Sequence, residues 1–429
     1  MNIFLDRVYK EIKGNFFLGS LLGGICVWLF FFITIPVNIV KPLSLETVFF
    51  VLFNYLALII GYYTSKGKIS SSIEHSTSGS ELMKYLRFII IIIIISGVIR
   101  YFDLFYVRGA SFFNSIGENK YNLSKKENFS LILGLLSMFR FLYFVPFVLY
   151  RLSNQKKLNL LVLTLALFLI PISEGFLRGS RRLIFEPVFI LCITLVIIRF
   201  KNFKISWRKI LLGIIAVFLL FLSSQYIIKD RISNISKNYQ ETLISARYND
   251  LIPLKKETKE YILDHKGEAL SSFVLFYCHL GQYITHGFFE FDFTRKVNSK
   301  PKYGMYNAFI IVKLFNSTGI SNYPMEELNN PSKRITYITF FGGLYLDFRW
   351  FSLLIMFLFG FLQKKIFILA EKNYAIKPIV VLLLMINFMM PIFNFLRAQV
   401  LVTVLIYLFA LIIFNFLIKK ESKGFNLFK

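Results

Sequence analysis

Four arginines stand where this chain is otherwise apolar. Arg140 lies deep inside an apolar run, and Arg178, Arg181 and Arg182 gather between two others. A guanidinium keeps its charge in any protein environment, so one placed in a bilayer must meet a carboxylate, a wet cavity or an anionic ligand. In the stretch Glu174-Gly-Phe-Leu-Arg178-Gly-Ser180-Arg181-Arg182, Gly179 and Ser180 suit a helix start, with the Ser180 hydroxyl available as a cap. That start puts Arg181 and Arg182 in a first turn, where the helix dipole disfavours cations. A phosphate or pyrophosphate bound there reverses the conflict, because free N–H groups, dipole and guanidinium forks all favour an oxyanion. The alternative is internal pairing, Glu174 with Arg178 and Arg182 with Glu186 at helical spacing, with the remaining arginine reaching for headgroups. Arg397, in a very short turn between the last two apolar runs, is a further candidate for binding pyrophosphate; simple headgroup contact is its alternative.

A hydroxyl nucleophile acting beside such an anion needs a base within reach. Candidates for catalysis are Asp347, Glu174 and His279, with Asp347 preferred for its place beside Gly342-Gly343. Asp103 is a candidate partner for Arg140, unless Arg100, three residues earlier, claims it. No Asp-x-Asp or Glu-x-Asp pair stands in the segment 37–45 to hold a divalent cation, so guanidiniums are expected to neutralise a leaving group instead of a metal. Cys26, Cys192 and Cys278 have no metal spacing. Neither metal, cofactor nor disulfide is expected.

The elements that must carry these groups are membrane helices. Of the 429 residues, 56% are hydrophobic, in runs long enough to cross a bilayer core. Ten spans are expected at 16–39, 45–64, 83–105, 129–150, 158–176, 183–199, 210–228, 345–367, 378–395 and 400–418. The unbroken apolar run from Phe88 to Ile95 lacks the alternation of a barrel strand. With the N-terminus inside, about 23 basic residues fall in inner segments against about 9 in short outer ones, so both termini are expected to be cytoplasmic. The formal charge of +26 then reflects topology and anionic membrane lipids, and no nucleic-acid partner is expected. One integral domain, 1–429, is expected to carry a large extracytoplasmic loop or cap at 229–334. Within that loop, 270–291 reads as an interfacial or half-inserted amphipathic helix. Gly342-Gly343 is expected to break the later segment, leaving a short helix that leads into a span.

This layout resembles the oligosaccharide repeat-unit polymerases, the Wzy-type O-antigen and capsule polymerases. The resemblance rests on about ten spans with both ends inside, one large outer loop in the second half, Arg178-Gly-Ser-Arg181-Arg182 opening one span and Gly342-Gly-Leu-Tyr345-Leu-Asp347-Phe348 opening another. It implies an all-α, GT-C-like glycosyltransferase of the bacterial inner membrane. Its substrate would be a polyprenyl-pyrophosphate-linked oligosaccharide, polymerised at the outer leaflet, with a chain-length regulator as partner. His279 followed by Gly287 also resembles the loop histidine of O-antigen ligases. The competing readings are therefore a ligase and a flippase or transporter of the same lipid-linked oligosaccharide.

Overall fold

A computed structural model describes residues 16–65, 79–124, 131–153, 157–199, 207–233, 239–246, 250–297, 300–329, 331 and 337–418. The chain ends, whose side of the membrane enters the expected topology, lie outside the described residues. Among those described there is no strand, only an isolated bridge between Val37 and Leu254. The principal helices are α1 (Phe16–Thr34), α2 (Leu45–Thr64), α3 (Gly79–Phe102) and α4 (Leu169–Arg178). They continue with α5 (Arg181–Arg199), α6 (Trp207–Ser233), α7 (Ala269–Val297) and α8 (Phe340–Phe348). The last are α9 (Ser352–Lys372), α10 (Lys377–Met389) and α11 (Leu401–Ile418).

Six helical segments among the described residues are long and apolar enough to cross a membrane: Phe16–Thr34, Leu45–Thr64, Glu81–Val107, Leu131–Leu152, Leu158–Arg178 and Phe340–Lys372. The other four expected spans overlap α5, α6, α10 and α11, although α10 ends at Met389, short of the expected boundary at 395. The chain is thus an all-α protein of the membrane type. Helix α3 illustrates why. Isoleucine runs favour strands in water, but in lipid every backbone N–H and C=O must be satisfied within the segment, which only a helix or a closed barrel achieves. Ile91, Ile94, Ile95 and Val98 are left exposed, as lipid-facing residues would be, while Ile89, Ile93, Ser96 and Arg100 are buried on one stripe.

The chain groups into two compact units, each discontinuous in sequence. One comprises Met1–Gly67, Asn238–Lys365 and Leu383–Leu401, the other Lys68–Lys237, Ile366–Leu382 and Val402–Lys429. Much of the segment expected as an outer loop is helical, including Tyr239–Ile244, Lys256–Asp264, Phe309–Ser317 and α7. Helix α7 covers the segment expected as an interfacial or half-inserted helix. Its residues Gly281, Gln282 and Thr285 to Asp292 are buried within the first unit, while Leu270 and Phe273 near its start are exposed. It packs on α1, with Trp28 edge-on to Phe288 at 4.9 Å between centroids.

The far end of α7 is strapped to the start of α2. Asp292 accepts hydrogen bonds from the Ser44 and Thr47 hydroxyls and pairs with Lys296, while Arg295 reaches Glu46. Burial alone would raise the Asp292 carboxyl, but hydrogen bonds from Lys296, Ser44 and Thr47 together with the lysine charge hold it below the usual carboxylate range. A depressed folded value means stability is present above the unfolded value and lost as pH falls through the folded one. Below about pH 4 the strap is therefore expected to loosen. Hydrogen exchange at 44–47 should accelerate there in wild type and already be fast at neutral pH in Asp292→Asn.

The segment around Gly342-Gly343 differs from expectation. Helix α8 starts on the Thr339 cap, whose hydroxyl accepts from Gly342 N–H, and runs unbroken through both glycines. The break comes at Arg349, whose φ of 52° lies in the left-handed region. A short helix leading into a span is present as expected, but Gly343 serves close packing. A Cβ there would sit 2.0 Å from Asn394 Nδ2 and 2.9 Å from Asn307 Oδ1.

Candidate functional site

In the second unit the arginines converge on one carboxylate. Helix α4 ends at Gly179, which takes φ 61° and ψ 33° so that Ser180 N–H can reach back to Gly175 O at 2.8 Å. That turn leaves Glu174 facing inward, with 1% of its surface exposed. Its Oε1 accepts from Arg100 Nε at 2.9 Å and Nη2 at 2.6 Å, from Arg178 Nη1 at 3.0 Å and from Arg140 Nη2 at 3.4 Å. Its Oε2 accepts from Arg140 Nε at 2.9 Å.

Arg140 is delivered by an irregular backbone, and Arg100 stands just before another. The segment carrying Arg140 narrows to a 3-10 helix at Ser137–Leu142, just ahead of Pro146. The N–H of Arg140 is taken up by Ser96 Oγ on α3 at 2.9 Å, and Ser96 Oγ in turn donates to Leu136 O. Side-chain repair of this kind is what lets a non-α backbone persist inside an apolar span. Beyond Arg100, α3 passes into a π-helix, Asp103–Val107, and such insertions recur at functional sites. Asp103 is buried and receives Arg100 Nη1 at 2.6 Å and Arg108 Nε at 3.0 Å.

Among the described residues four guanidiniums, those of Arg100, Arg108, Arg140 and Arg178, thus meet the carboxylates of Glu174 and Asp103. Arg178 keeps 43% of its side chain exposed, whereas Arg100 and Arg140 each keep 8%. Arg182 sits 3.5 Å from Glu186, and Arg181 is half-buried in the first turn of α5. The internal pairs at helical spacing therefore coexist with the gathering of arginines. Sequence reading placed Arg100 only beside Asp103 and missed both its bond to Glu174 and the part of Arg108. The signal available was Arg100's position, four residues after Ser96 on the buried stripe of α3.

The other candidates lie in the first unit. Asp347, fully buried on α8, accepts Tyr306 N–H at 2.9 Å, Asn307 N–H at 2.9 Å and Asn307 Nδ2 at 2.6 Å. His279 is 3% exposed on α7. Arg397, on the π-helix Leu396–Val400, belongs to this unit and to a separate network. Among the described residues no three His, Cys, Asp or Glu side chains are grouped so as to hold a metal ion.

Fold and site define a helical membrane protein with a buried, cation-rich cluster. Comparison with protein-family models, with curated proteins and with solved structures finds no match to this chain.

Proposed function

We propose that the chain polymerises polyprenyl-pyrophosphate-linked oligosaccharide units into surface polysaccharide, as a metal-independent glycosyltransferase at the outer leaflet of the bacterial inner membrane. The observation that carries this reading is the convergence of Arg100, Arg140 and Arg178 on the single carboxylate of Glu174 in apolar helices. Guanidiniums gathered in this way in an apolar setting favour an anionic ligand, and a pyrophosphate supplies that charge.

In the proposed reaction an acceptor hydroxyl oxygen bonds to the anomeric carbon as the bond from that carbon to the pyrophosphate oxygen breaks. The pyrophosphate departs with its polyprenyl chain, and the hydroxyl proton passes to a base. Arg178, Arg181 and Arg182, the more accessible arginines, take the departing charge. Arg140 and Arg100 stay on Glu174 and hold Arg178 in place through it. Glu174 already receives three guanidiniums and Asp347 three N–H donors. Neither carboxylate is therefore assigned as the base.

Reconstituted protein given one defined lipid-linked repeat unit tests the reading. Arg178→Ala should fold, since much of that side chain is exposed, yet lose about 10²- to 10³-fold in rate, as when one preorganised anion donor is removed. Full-length polymer from Arg178→Ala at normal protein levels contradicts the proposal, and inhibition by a chelator contradicts its metal-free chemistry.

A further inference from the structure

The geometry points to a second oxyanion site in the first unit, built around Arg397 and taking a phosphate-type group. It is independent of the transfer chemistry above, because every residue in it lies within the first unit.

The guanidinium of Arg397 is clamped between two rings, with Cζ 4.4 Å from the centroid of Tyr306 and 4.4 Å from that of Phe309. Nη2 donates to Leu328 O at 2.8 Å. The Nε donor is enclosed and meets no acceptor among the described residues, and no carboxylate pairs with this arginine there. Two aromatic faces lie against the charge, and the N–H groups of the guanidinium remain for a partner. A buried donor without an acceptor is costly, and a planar edge with spare N–H groups matches the oxygens of a phosphate.

The surroundings hold this fork in place. Arg397 N–H donates to Asn394 Oδ1 at 3.1 Å, Asn394 Nδ2 to Asn307 Oδ1 at 2.7 Å, and Asn307 Nδ2 to Asp347 at 2.6 Å. The turn bearing Tyr306 is pinned to the end of α8, Lys302 N–H reaching Leu346 O and Tyr303 N–H reaching Asp347 O at 2.8 and 3.0 Å. Tyr303 and Gly304 both take positive φ to make that turn. Gly343 leaves the space in which the two asparagines meet. A buried relay of this length, ending on the main chain of an arginine whose charge meets no carboxylate among the described residues, is the architecture of a preorganised anion site.

The phosphate could belong to a lipid headgroup or be soluble, and the test separates the two. Full-length protein in dodecyl maltoside is followed by hydrogen exchange at 302–309 and 394–400. One arm adds inorganic phosphate; the other adds phosphatidylglycerol in phosphate-free buffer. Exchange in both segments should slow about tenfold in at least one arm for wild type, and not at all for Arg397→Gln. Protection by inorganic phosphate identifies a soluble group, and protection by phosphatidylglycerol alone identifies a headgroup. If Arg397→Gln does not fold, Arg397→Lys, which keeps the charge and loses the fork, should lose most of the protection. No slowing in wild type in either arm, or equal slowing in a folded variant, overturns the site.

Discussion

Glu174→Gln is expected to unfold the protein more readily than any single arginine replacement around it. The change leaves Arg100, Arg140 and Arg178 facing a neutral amide in an apolar setting; Arg100 keeps Asp103, but Arg140 and Arg178 have no other carboxylate among the described residues. Removing one partner of a buried ion pair typically destabilises by about 3–5 kcal/mol, because the remaining charge stays desolvated. Here three charges lose that carboxylate at once, so the upper part of that range applies. Arg178→Gln, by contrast, removes an arm that is 43% exposed and should cost about 1 kcal/mol or less. Thermal unfolding in detergent distinguishes them: a large drop in Tm for Glu174→Gln and a small one for Arg178→Gln. The pyrophosphate reading adds a second outcome. Inorganic pyrophosphate should raise the Tm of Glu174→Gln by more than that of wild type, since it replaces the lost negative charge. A Glu174→Gln protein that melts like wild type would sink the whole account of this cluster.

The second large effect belongs to Asp347. Its two oxygens accept three N–H donors from Tyr306 and Asn307, and so fasten the turn at 302–308 to α8. Asparagine at 347 substitutes an NH2 for one of those oxygens and sets a donor against a donor. Hydrogen bonds to a charged group are worth about 1.5–3 kcal/mol each, and leaving a buried N–H unmade adds to the loss. A destabilisation of about 3 kcal/mol is expected for Asp347→Asn on that basis. Exchange at 302–309 should quicken in the same variant. This result also separates a staple from a base: a base would lose transfer activity with the melting temperature unchanged. If Asp347→Asn melts normally, with exchange at 302–309 untouched, the staple is wrong.

Several parts of the site were legible because they are local. Arg178 with Glu174, Arg182 with Glu186 and Arg100 with Asp103 are neighbours on a helix face, and spacing alone suggests each pair. The helical character of the apolar segments was equally plain, since lipid leaves an uncapped backbone few other options. Less visible was the bridge from Arg140 to Glu174, 34 residues apart, or from Arg100 to Glu174, 74 apart. Nothing in a uniformly apolar helix states which stripe turns inward, so the partner of a buried charge has no signal in periodicity. The glycines at 342 and 343 show the same limit. Their composition predicts a break in the segment, whereas Gly343 clears room for a contact between Asn307 and Asn394, 87 residues apart.

By itself, the order of residues determined that this chain is helical, belongs in a membrane and carries more guanidinium than its apolar segments can neutralise. Only the tertiary structure decided how those cations are shared out. It sets Arg100, Arg140 and Arg178 on Glu174, and it encloses Arg397 between Tyr306 and Phe309 in a separate network. The reason is physical: hydropathy and backbone bonding act over a few residues, while a buried charge is satisfied by whichever distant segment folding brings within about 3 Å.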